Sequence, residues 1–452
     1  MMTPRRALLR TVLVPILFIS FAACTVATER ARLPIEKTFG PQPELVEPNE
    51  TLVPTIKVAD AKGWPQGMWP KGPPNTAVTA FADALAHPRW LYVLPNGDVL
   101  VAETAGPDRP EDFEGAKGKA MKEVMEKAGS VVPSANRITL LRDANGDGVA
   151  ELRTPFLENL HSPFGMALVG KHLFIANTDS VVHVPYKDGD TRATAAPTVL
   201  TYLPGRPYNH HWTKNIIASL DGTKLYATVG SNSNVAERGM KHEEGRACIW
   251  EIDLKTGNKR IFASGLRNPN GMAWVPETGT LWTVVNERDE IGSDLVPDYL
   301  TSVHDGAFYG WPYSYFGSHI DERVKPQALD LVAQAIPPDY ALGAHTASLG
   351  LAWSDRNDLP PGFAKGMFIG QHGSWNRMPP SGYQVVFVPF QGGKPAGDAV
   401  PVLTGFLSED TETAYGRPVG VAFDKRGGLL VADDVGNVIW RLANTGPLPP
   451  EI

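Results

Sequence analysis

One pattern recurs six times along this chain of 452 residues. Each copy has an entry turn, a strand of small apolar residues, a turn rich in Gly, Asp or Asn, and a second apolar strand. Turns such as Asn96-Gly97, Asp221-Gly222 and Gly427-Gly428 between runs of Val, Leu and Ile are typical of β-hairpins. The copies occupy 88–104, 162–186, 212–233, 268–287, 346–376 and 417–442.

A hairpin of this kind cannot bury both of its faces alone, so six copies predict radial packing. The sequence therefore predicts an all-β fold, a six-bladed β-propeller with four strands in each blade. The copies start at larger intervals than the ~40–50 residues of a compact blade, so we expect inserted loops between strands. We place an exposed helix in 111–128 and a second insertion, rich in aromatic residues and Pro, in 291–345.

The first 23 residues have the features of a secretory signal peptide. Three arginines precede an apolar run at 11–23, which is too short to span a bilayer. Ala22, Ala23 and Cys24 resemble the end of a bacterial lipoprotein signal, so we expect a periplasmic protein that is lipid-anchored at Cys24. Phe21 stands where that motif usually has Leu, which keeps soluble periplasmic secretion open. A buried N-terminal strand is the remaining alternative.

Residues 24–75 contain nine prolines and show little periodicity. We interpret them as an extended tether, with an arm packed along the body as the alternative, which Trp64 and Trp69 favour for the second half. The propeller domain then covers 76–452. A net charge of −7 argues against a general nucleic-acid surface. With two cysteines the chain has no CxxCH motif, so it carries no covalently attached c-type haem.

Charged residues are concentrated in a stretch that a packed core would not need. It contains GLRNPNGMAW at 265–274, VVNERDEIGSDLVPDY at 284–299 and FYGWP at 308–312. Buried charges are costly unless they are paired or bound to metal, so we interpret the stretch as one wall of a site for an anionic cofactor and a divalent cation. Arg267 can clamp a carboxylate or stabilise an oxyanion, or it can pair with an acid of the NERDE run. The NERDE run offers oxygen ligands for Ca²⁺.

Other candidates lie before or after the repeated strands. His210 and His211 precede the third hairpin; neighbours on a strand point to opposite faces, so one of them can face the channel as a general base, or serve a structural role. Further cations at the channel mouth would suit a small polyanion, and they are His372, Arg377 and Arg417. The sequence RDANGDGVAE at 142–151 has the first three spacings of a calcium loop, but Thr154 stands where a bidentate Glu is needed, so a plain turn is the simpler interpretation.

Taken together, GLRNPNGMAW, VNERDE, FYGWPYSY, QHGSWNR and GRPVGVAF resemble the glucose/sorbosone dehydrogenase family, and the sorbosone-like branch in particular. Members of this family are six-bladed quinoproteins that carry pyrroloquinoline quinone (PQQ) and Ca²⁺. The resemblance covers roughly residues 80–445 in order, as the five motifs follow the family's arrangement.

The resemblance implies a role for each matching residue. His211 corresponds to the base that takes the sugar hydroxyl proton, and His210 stands where the glucose enzymes have an acid that orients this base. Arg267 and Asn268 correspond to the pair that contacts the quinone carbonyls. Arg377 and Arg417 lie near cations that bind the cofactor carboxylates, and His372 joins them as a cofactor-binding candidate. Calcium would lie on the carbonyls of Arg288 and Asp289, or on the side chain of Glu287 or Asp289.

The sequence therefore predicts a PQQ- and Ca²⁺-dependent dehydrogenase for a sugar, sugar aldehyde or polyol. Its electrons would leave through a separate acceptor, a quinone or a cytochrome, and it would contact a membrane only through the lipid anchor. Two alternatives stay open: a calcium-dependent lactonase on a six-bladed propeller, and a non-catalytic propeller that binds a glycan or protein.

Overall fold

The computed structural model describes residues 29–51, 54–108 and 114–446. Within them the chain forms six antiparallel sheets of four or five strands, with few helices. The first strands of successive sheets contact one another in a closed circuit, so the six sheets are the blades of a propeller around one axis. The predicted six-bladed fold is confirmed. The signal-like segment 1–23 and Cys24 lie outside the described residues.

The blades follow the order of the chain, and each repeated hairpin supplies the first two strands of one blade. Blade 1 contains Pro88–Val93, Val99–Glu103, Arg137–Arg142 and Leu152–Leu157. Blade 2 contains Met166–Val169, His172–Ala176, Ser180–Pro185 and Thr198–Tyr202. Blade 3 contains Ile216–Ala218, Lys224–Val229, Cys248–Asp253 and Lys259–Ser264. Blade 4 contains Asn268–Val275, Thr280–Asn286, Pro297–Val303, Tyr340–Ala344 and the added strand Phe39–Gly40. Blade 5 contains Ser348–Ser354, Gly366–Gln371, Gln384–Gln391, Lys394–Pro395 and Val400–Leu403, and blade 6 contains Pro418–Phe423, Leu429–Asp433, Val438–Asn444 and Thr76–Ala82.

The ring is closed by a strand from the N-terminal side. Thr76–Ala82 precedes blade 1 in the chain but pairs with Val438–Asn444 as the outer strand of blade 6. The last blade is thereby fastened to the segment that leads into the first, which removes the open edge that a linear array would leave.

The core lies in layers between neighbouring blades. Phe368 and Phe387 of blade 5, for example, pack with Val421 and Trp440 of blade 6, and comparable buried clusters fill the other five junctions in the described chain. Close approach of the inner strands requires glycine. A Cβ on Gly350 would lie 2.1 Å from the carbonyl oxygen of Val419, so LGLAW needs this residue for the contact between blades 5 and 6.

The described part of segment 24–75 is an arm packed along the body. Phe39–Gly40 extends the sheet of blade 4, and Asp60–Ala61 pairs in parallel with Thr413–Ala414. The Trp64 ring contacts Phe406, and its Nε1–H donates to Asp433 at 2.7 Å. These contacts keep the arm on blades 4 to 6.

The helices are short. The predicted exposed helix is present as Gly115–Lys127, and the other helices within the described residues are Ile35–Thr38, Met240–Glu243, Leu329–Val332 and Pro361–Phe363. The interpretation of 291–345 as a single inserted loop was wrong, because its ends form the third and fourth strands of blade 4 and only 304–339 is inserted. Ser314–Tyr315 and His319–Ile320 make a small hairpin there. Among the helices that the structure describes, none has the length and apolar character of a membrane span.

Candidate functional site

Polar residues collect at one end of the propeller axis. The first residues of the inner strands pair with the last residues of the second strands, as Asn268 does with Asn286 and Pro418 with Asp433. The loops before first strands and after second strands therefore share this end. Propeller ligands bind where such loops meet the channel, so this end is the candidate site.

Ser231 connects two of the predicted residues. It follows the second strand of blade 3, and its carbonyl oxygen lies 2.7 Å from Nδ1 of His211. Its N–H donates to the carbonyl oxygen of Arg267 at 2.7 Å. The backbone of one residue thus joins the candidate base to the candidate quinone-polarising arginine, and both lie at the same end of the channel.

A glycine makes room for this arrangement. A Cβ on Gly230 would lie 2.6 Å from Cβ of His211 and 2.4 Å from Oδ1 of Asn268. The two distances together place those atoms no more than 5.0 Å apart. Asn268 is buried, and its Oδ1 has no hydrogen-bond partner among the described residues. His211, Arg267 and Asn268 are therefore brought together as predicted by position, and their chemical roles stay predictions.

Arg267 is held firmly by the protein. Its guanidinium donates to the carbonyl and the side-chain oxygen of Asn234, to the carbonyl of Glu287 and to the carboxylate of Asp289. The side chain is only 4% exposed. It can therefore influence a ligand as a fixed positive charge in a setting of low dielectric.

The predicted calcium positions form an ion-pair network. Arg288 is fully buried between Glu287, at 2.9 Å, and Asp321, at 3.1 Å, and it also donates to the carbonyls of Pro312 and Ser314. Arg323 pairs with Asp321 at 2.7 Å. The network ties the loop after the second strand of blade 4 to the insertion at 304–339.

Asp289 is equally engaged. Its carboxylate accepts from Arg267 and, at 2.7 Å, from Nδ2 of Asn376, while its carbonyl accepts from Asn234 and Arg323. Burial would raise the pKa of this carboxyl, but the charge of Arg267 and the hydrogen bonds of His345 and Asn376 lower it to about 2. The carboxylate is thus ionised and already balanced.

The side chains at 287–289 are therefore largely engaged in ion pairs, although Oε1 of Glu287 is buried and has no hydrogen-bond partner among the described residues. The acids Glu287, Asp289 and Asp321 face the cations Arg267, Arg288 and Arg323, so the local charge is already neutralised. A cation on the Asp289 carboxylate would have to displace Arg267 or Asn376. Calcium at this loop stays a prediction.

Asp434, after the second strand of blade 6, holds a second charged group. Its Oδ2 accepts from Arg89 and from Nε2 of His372 at 2.9 Å, and His87 lies within 3.6 Å. Burial, together with the charge of Arg417, lowers the pKa of His372 to about 3, so this ring is neutral and donates its Nε2–H. Oδ1 of Asp434 and Nε of Arg89 are buried and have no partner in the described residues.

Of the two other predicted cations, one joins this group and the other does not. Arg417 donates to the carbonyls of His372, at 2.8 Å, and Gly373, at 2.7 Å. Arg377 instead contacts Asp294 at 3.2 Å, a carboxylate that also binds the backbone of the arm. Arg377 therefore lies beneath the arm, and its contacts do not join the Asp434 group.

Sequence reasoning missed several residues at this end of the channel. Asn234 directly follows the third repeat and Asn376 is the last residue of the fifth; neither carries a charge, so nothing in the pattern singled them out. Asp434 could have been found because it follows a second strand, as Glu287 does, and Arg89 because it is the second residue of a first strand that Asn268 opens in blade 4. The placement of His210 and His211 on a strand was wrong, because the first strand of blade 3 begins only at Ile216.

The 142–151 sequence is the turn between the third and fourth strands of blade 1. Asp143, Asp147 and Glu151 are close enough to share an ion, but Asp147 and Glu151 are exposed. Asp143 and Glu151 accept backbone N–H groups of the turn. This agrees with the simpler interpretation as a turn, in which Gly146 and Gly148 take positive φ.

The candidate site fits a polar ligand. The unpartnered atoms of Asn268 on one side, and of Asp434 and Arg89 on the other, are buried at the same end of the axis. A buried polar atom without a partner costs about 1–3 kcal/mol, which a ligand carrying carbonyl, carboxylate or hydroxyl groups would remove. His211, which is half-buried, offers titratable chemistry beside this space.

Comparison with known proteins agrees with the fold. Residues 78–372 match the family described as "Domain of unknown function (DUF7133)", and residues 326–445 match the family described as TrAA12-like. An uncharacterized protein of Borreliella burgdorferi (strain ATCC 35210 / DSM 4680 / CIP 102532 / B31) is 28% identical over 63% of this chain and 76% of its own length.

The PQQ-dependent pyranose dehydrogenase of Coprinopsis cinerea is 24% identical over 49% of this chain. The match spans only 35% of that enzyme's length.

Two solved structures share the architecture. The holo form of the pyranose dehydrogenase PQQ domain from Coprinopsis cinerea superimposes with a TM-score of 0.66 at 19% identity, covering 86% of this chain and 100% of that one. A calcium structure of a Trichoderma reesei enzyme of Carbohydrate-Active Enzymes family AA12 gives 0.65 at 18% identity, covering 83% and 97%. The similarity to PQQ quinoproteins is therefore shown at the level of the fold. It does not distinguish the sorbosone-like branch of the family from the others. By the match over 78–372, the chain belongs to the family described as "Domain of unknown function (DUF7133)".

Proposed function

We propose that this chain is a PQQ-dependent dehydrogenase that oxidises a sugar, sugar aldehyde or polyol, with His211 as the general base. The observation that carries the proposal is the link through Ser231, which joins the His211 ring to the Arg267 backbone at the ligand end of the channel. The relatives add support, because a PQQ-dependent pyranose dehydrogenase is similar in sequence and its PQQ domain has the same fold.

The hydrogen bond at Nδ1 determines which nitrogen of His211 can act as a base. The carbonyl oxygen of Ser231 can only accept, so the short contact requires a proton on Nδ1. In the neutral imidazole the lone pair then lies on Nε2. We therefore assign proton abstraction from the substrate hydroxyl to Nε2 of His211.

Arg267 and Asn268 have supporting roles. The fixed guanidinium of Arg267 places positive charge beside the base, and it stabilises negative charge that develops on a bound carbonyl oxygen. The amide of Asn268 can donate to such an oxygen from Nδ2. PQQ, when bound, supplies the electrophilic ortho-quinone that accepts hydride. Arg417 from blade 6 and Arg89 from blade 1 would face its carboxylates, beside the neutral ring of His372 from blade 5.

The proposal gives calcium no catalytic step. The Trichoderma reesei structure is described as a calcium structure, which supports a role for the ion in proteins of this fold. The side chains at 287–289 of this chain are balanced by arginines, so we assign no catalytic step to calcium here.

We further propose that the protein works in the periplasm, with its signal-like segment 1–23 removed and Cys24 lipidated. A separate quinone or cytochrome would take the electrons. These parts rest on the sequence, because residues 1–28 are outside those that the structure describes.

Reconstitution of purified apoprotein tests the proposal. PQQ is added with and without Ca²⁺ in chelator-treated buffer, and binding is followed by the absorption spectrum of the quinone. Oxidation of a panel of aldoses, sugar aldehydes and polyols is followed with an artificial electron acceptor. We expect saturable binding of about one PQQ per chain and sugar oxidation that requires it.

The same experiment separates the alternatives. Lactone hydrolysis with Ca²⁺ alone would indicate a lactonase, and glycan binding without turnover or PQQ binding would indicate a non-catalytic propeller. Either result would overturn the proposal. Activity that appears only with Ca²⁺ would place the ion at a site other than the carboxylates of 287–289, or would show that it displaces Arg267.

A further inference from the structure

A buried lysine lies three residues after the candidate base. The side chain of Lys214 has no exposed surface, and its ammonium donates to the carbonyl oxygens of His211 at 3.1 Å and Trp212 at 3.2 Å. It also lies 3.3 Å from Oδ1 of Asn209. The three contacts draw the chain on both sides of His211 around one cation.

This segment needs such a support because no strand holds it. The first strand of blade 3 begins at Ile216, so His211 and Trp212 precede the sheet ladder. Side chains provide the missing anchors: besides Lys214, the hydroxyl of Thr178 donates to the Trp212 carbonyl at 2.8 Å. The backbone that carries the imidazole is thus held by hydrogen bonds from Lys214 of the same loop and from Thr178 of blade 2.

The imidazole is fixed separately from its backbone. Nδ1 of His211 lies 2.7 Å from the carbonyl and 3.1 Å from the hydroxyl of Ser231. With the ring anchored at one end and the backbone at the other, the direction of Nε2 is determined. In the glucose enzymes that this sequence resembles, an acid precedes and orients the base, whereas His210 stands there in this chain and is exposed.

The cost of burying an ammonium makes this arrangement informative. Removing such an ion from water costs several kcal/mol, and an apolar side chain of the same shape is often neutral or stabilising in its place. A chain that needed only a packed core at position 214 would be served as well by methionine. The three oriented acceptors around the ammonium indicate a positional role.

We propose that Lys214 is the positioning residue of the proton-transfer step: it holds the His211–Trp212 backbone so that the ring, anchored on Ser231, directs Nε2 at the substrate hydroxyl. The inference rests on the proposed function for its catalytic part. The geometric part, the ordering of the imidazole by Lys214, stands without it.

Two substitutions at one position test it. Lys214→Met keeps the length and removes all donors, while Lys214→Gln keeps an amide that can donate to two carbonyls. Arg246→Met is the matched control, because this buried cation binds the Tyr208 carbonyl and Asn209 earlier in the same loop and has no hydrogen bond to the His211 or Trp212 carbonyl. A misplacement of about 1 Å can cost 100-fold in rate.

We expect kcat per bound quinone to fall about 10- to 100-fold in Lys214→Met, with KM and the quinone Kd changed less than about 3-fold. The deuterium isotope effect with substrate labelled at the reacting carbon should rise or stay at its full value, and Lys214→Gln should recover most of the rate. Arg246→Met should lose stability and keep kcat within about 3-fold. If Lys214→Met does not fold, Thr178→Val tests the positioning of the same backbone, because it removes the bond to the Trp212 carbonyl, together with the one accepted from Nδ2 of Asn209, and keeps the shape.

A second readout uses the apoprotein. In histidine-labelled protein, the ¹⁵N signals of the His211 ring, assigned by their loss in His211→Ala, should show a proton on Nδ1 in the wild type. Lys214→Met should convert them to an average of the two tautomers. Unchanged ring signals and unchanged kcat would overturn the inference, as would an equal loss of kcat in Arg246→Met. A wild type that binds no PQQ and oxidises no sugar would instead refute the proposed function, while the ring signals would still test the positional role.

Discussion

The two histidines predicted to act at the channel, His211 of blade 3 and His372 of blade 5, have opposite environments. His211 is half-buried, and its Nδ1 bonds to the carbonyl and hydroxyl of Ser231. His372 is buried, and its Nε2 bonds to the carboxylate of Asp434 within a group of positive charges. Burial and Arg417 lower the pKa of His372 to about 3.

The difference shows what makes a histidine suitable as a base. A ring that is bonded to a carbonyl at one nitrogen and borders the ligand space can accept a proton at the other. A ring that donates to a buried carboxylate, and that pays a large desolvation penalty when it is protonated, cannot serve this purpose near neutral pH. His372 is therefore suited to shape and polarise the cofactor end, and His211 to move the proton.

The largest effect should come from His211→Ala. Loss of a general base typically costs 100- to 10,000-fold in rate, so we expect kcat to fall in this range while PQQ affinity changes little. Steady-state dye reduction and a quinone titration measure the two quantities. His210→Ala is the control and should keep most of the activity; a variant at 211 with wild-type turnover would remove the functional difference between the two histidines.

Asp434→Asn should mainly affect stability. It leaves Arg89 without its carboxylate in a buried setting, and breaking a buried pair by removing one partner costs about 3–5 kcal/mol. Urea unfolding gives the free energy of unfolding. Asp305→Asn is the control, because its exposed carboxylate pairs with Arg260 and should contribute below about 1 kcal/mol. Equal, small losses of unfolding free energy in both variants would show that the Asp434–Arg89 pair beside His372 contributes little to stability.

Gly230→Ala should disturb the His211 side without removing a functional group. The added methyl would meet Cβ of His211 and Oδ1 of Asn268 at less than 3 Å, so one of them must move. We expect kcat to fall about 10- to 100-fold and the free energy of unfolding to fall by about 1–3 kcal/mol. Gly362→Ala, where no atom lies within 4 Å, should change neither. Similar behaviour of the two alanine variants would contradict the close packing at 230.

The smallest effect concerns the pH dependence of stability at Asp433, next to the His372 cluster. Burial raises the pKa of this carboxyl to about 6, against hydrogen bonds from Trp64 and other donors. A raised folded-state pKa stabilises the protein fully below the ordinary value near 4, and this contribution is lost as the pH rises through about 6. The free energy of unfolding of the wild type, relative to Asp433→Asn, should therefore increase by about 1–3 kcal/mol from pH 7 to pH 4. A constant difference over this range would contradict the buried, protonatable state.

Much of the fold could be predicted because its information is local. The repeated hairpins, with turns such as Asn96-Gly97, specify the first two strands of each blade through alternation and turn chemistry. The added strand Phe39–Gly40, which lies in the Pro-rich segment, and the closing strand Thr76–Ala82, which follows that segment, could not be found in this way, because both pair with partners hundreds of residues away. The predictions about residues 1–23 and the domain boundaries stay predictions.

The candidate site could likewise be predicted only in part. His211, Arg267 and Asn268 were predicted, and they come together because each lies at the start of a hairpin, where the fold brings the blades to one end. The dense charge run at 287–289 was interpreted as a metal site, which stays a prediction; in the structure Glu287 pairs with Arg288, Arg288 also pairs with Asp321, and Asp289 pairs with Arg267. Arg267 precedes the run and Asp321 belongs to the inserted loop, so charge density in the sequence could not distinguish a network closed by the protein from one open to a ligand.

The central claim is that this chain oxidises a sugar with PQQ and that His211 removes the proton. The most direct measurement is the anaerobic half-reaction of reconstituted protein with sugar, followed by the absorbance of the bound quinone in a stopped-flow instrument. We predict that the wild type reduces its bound quinone in a single exponential phase, and that His211→Ala binds the quinone equally but reduces it at least 100-fold more slowly. Equal rates in the two proteins, or no reduction in the wild type by any sugar, would contradict the account.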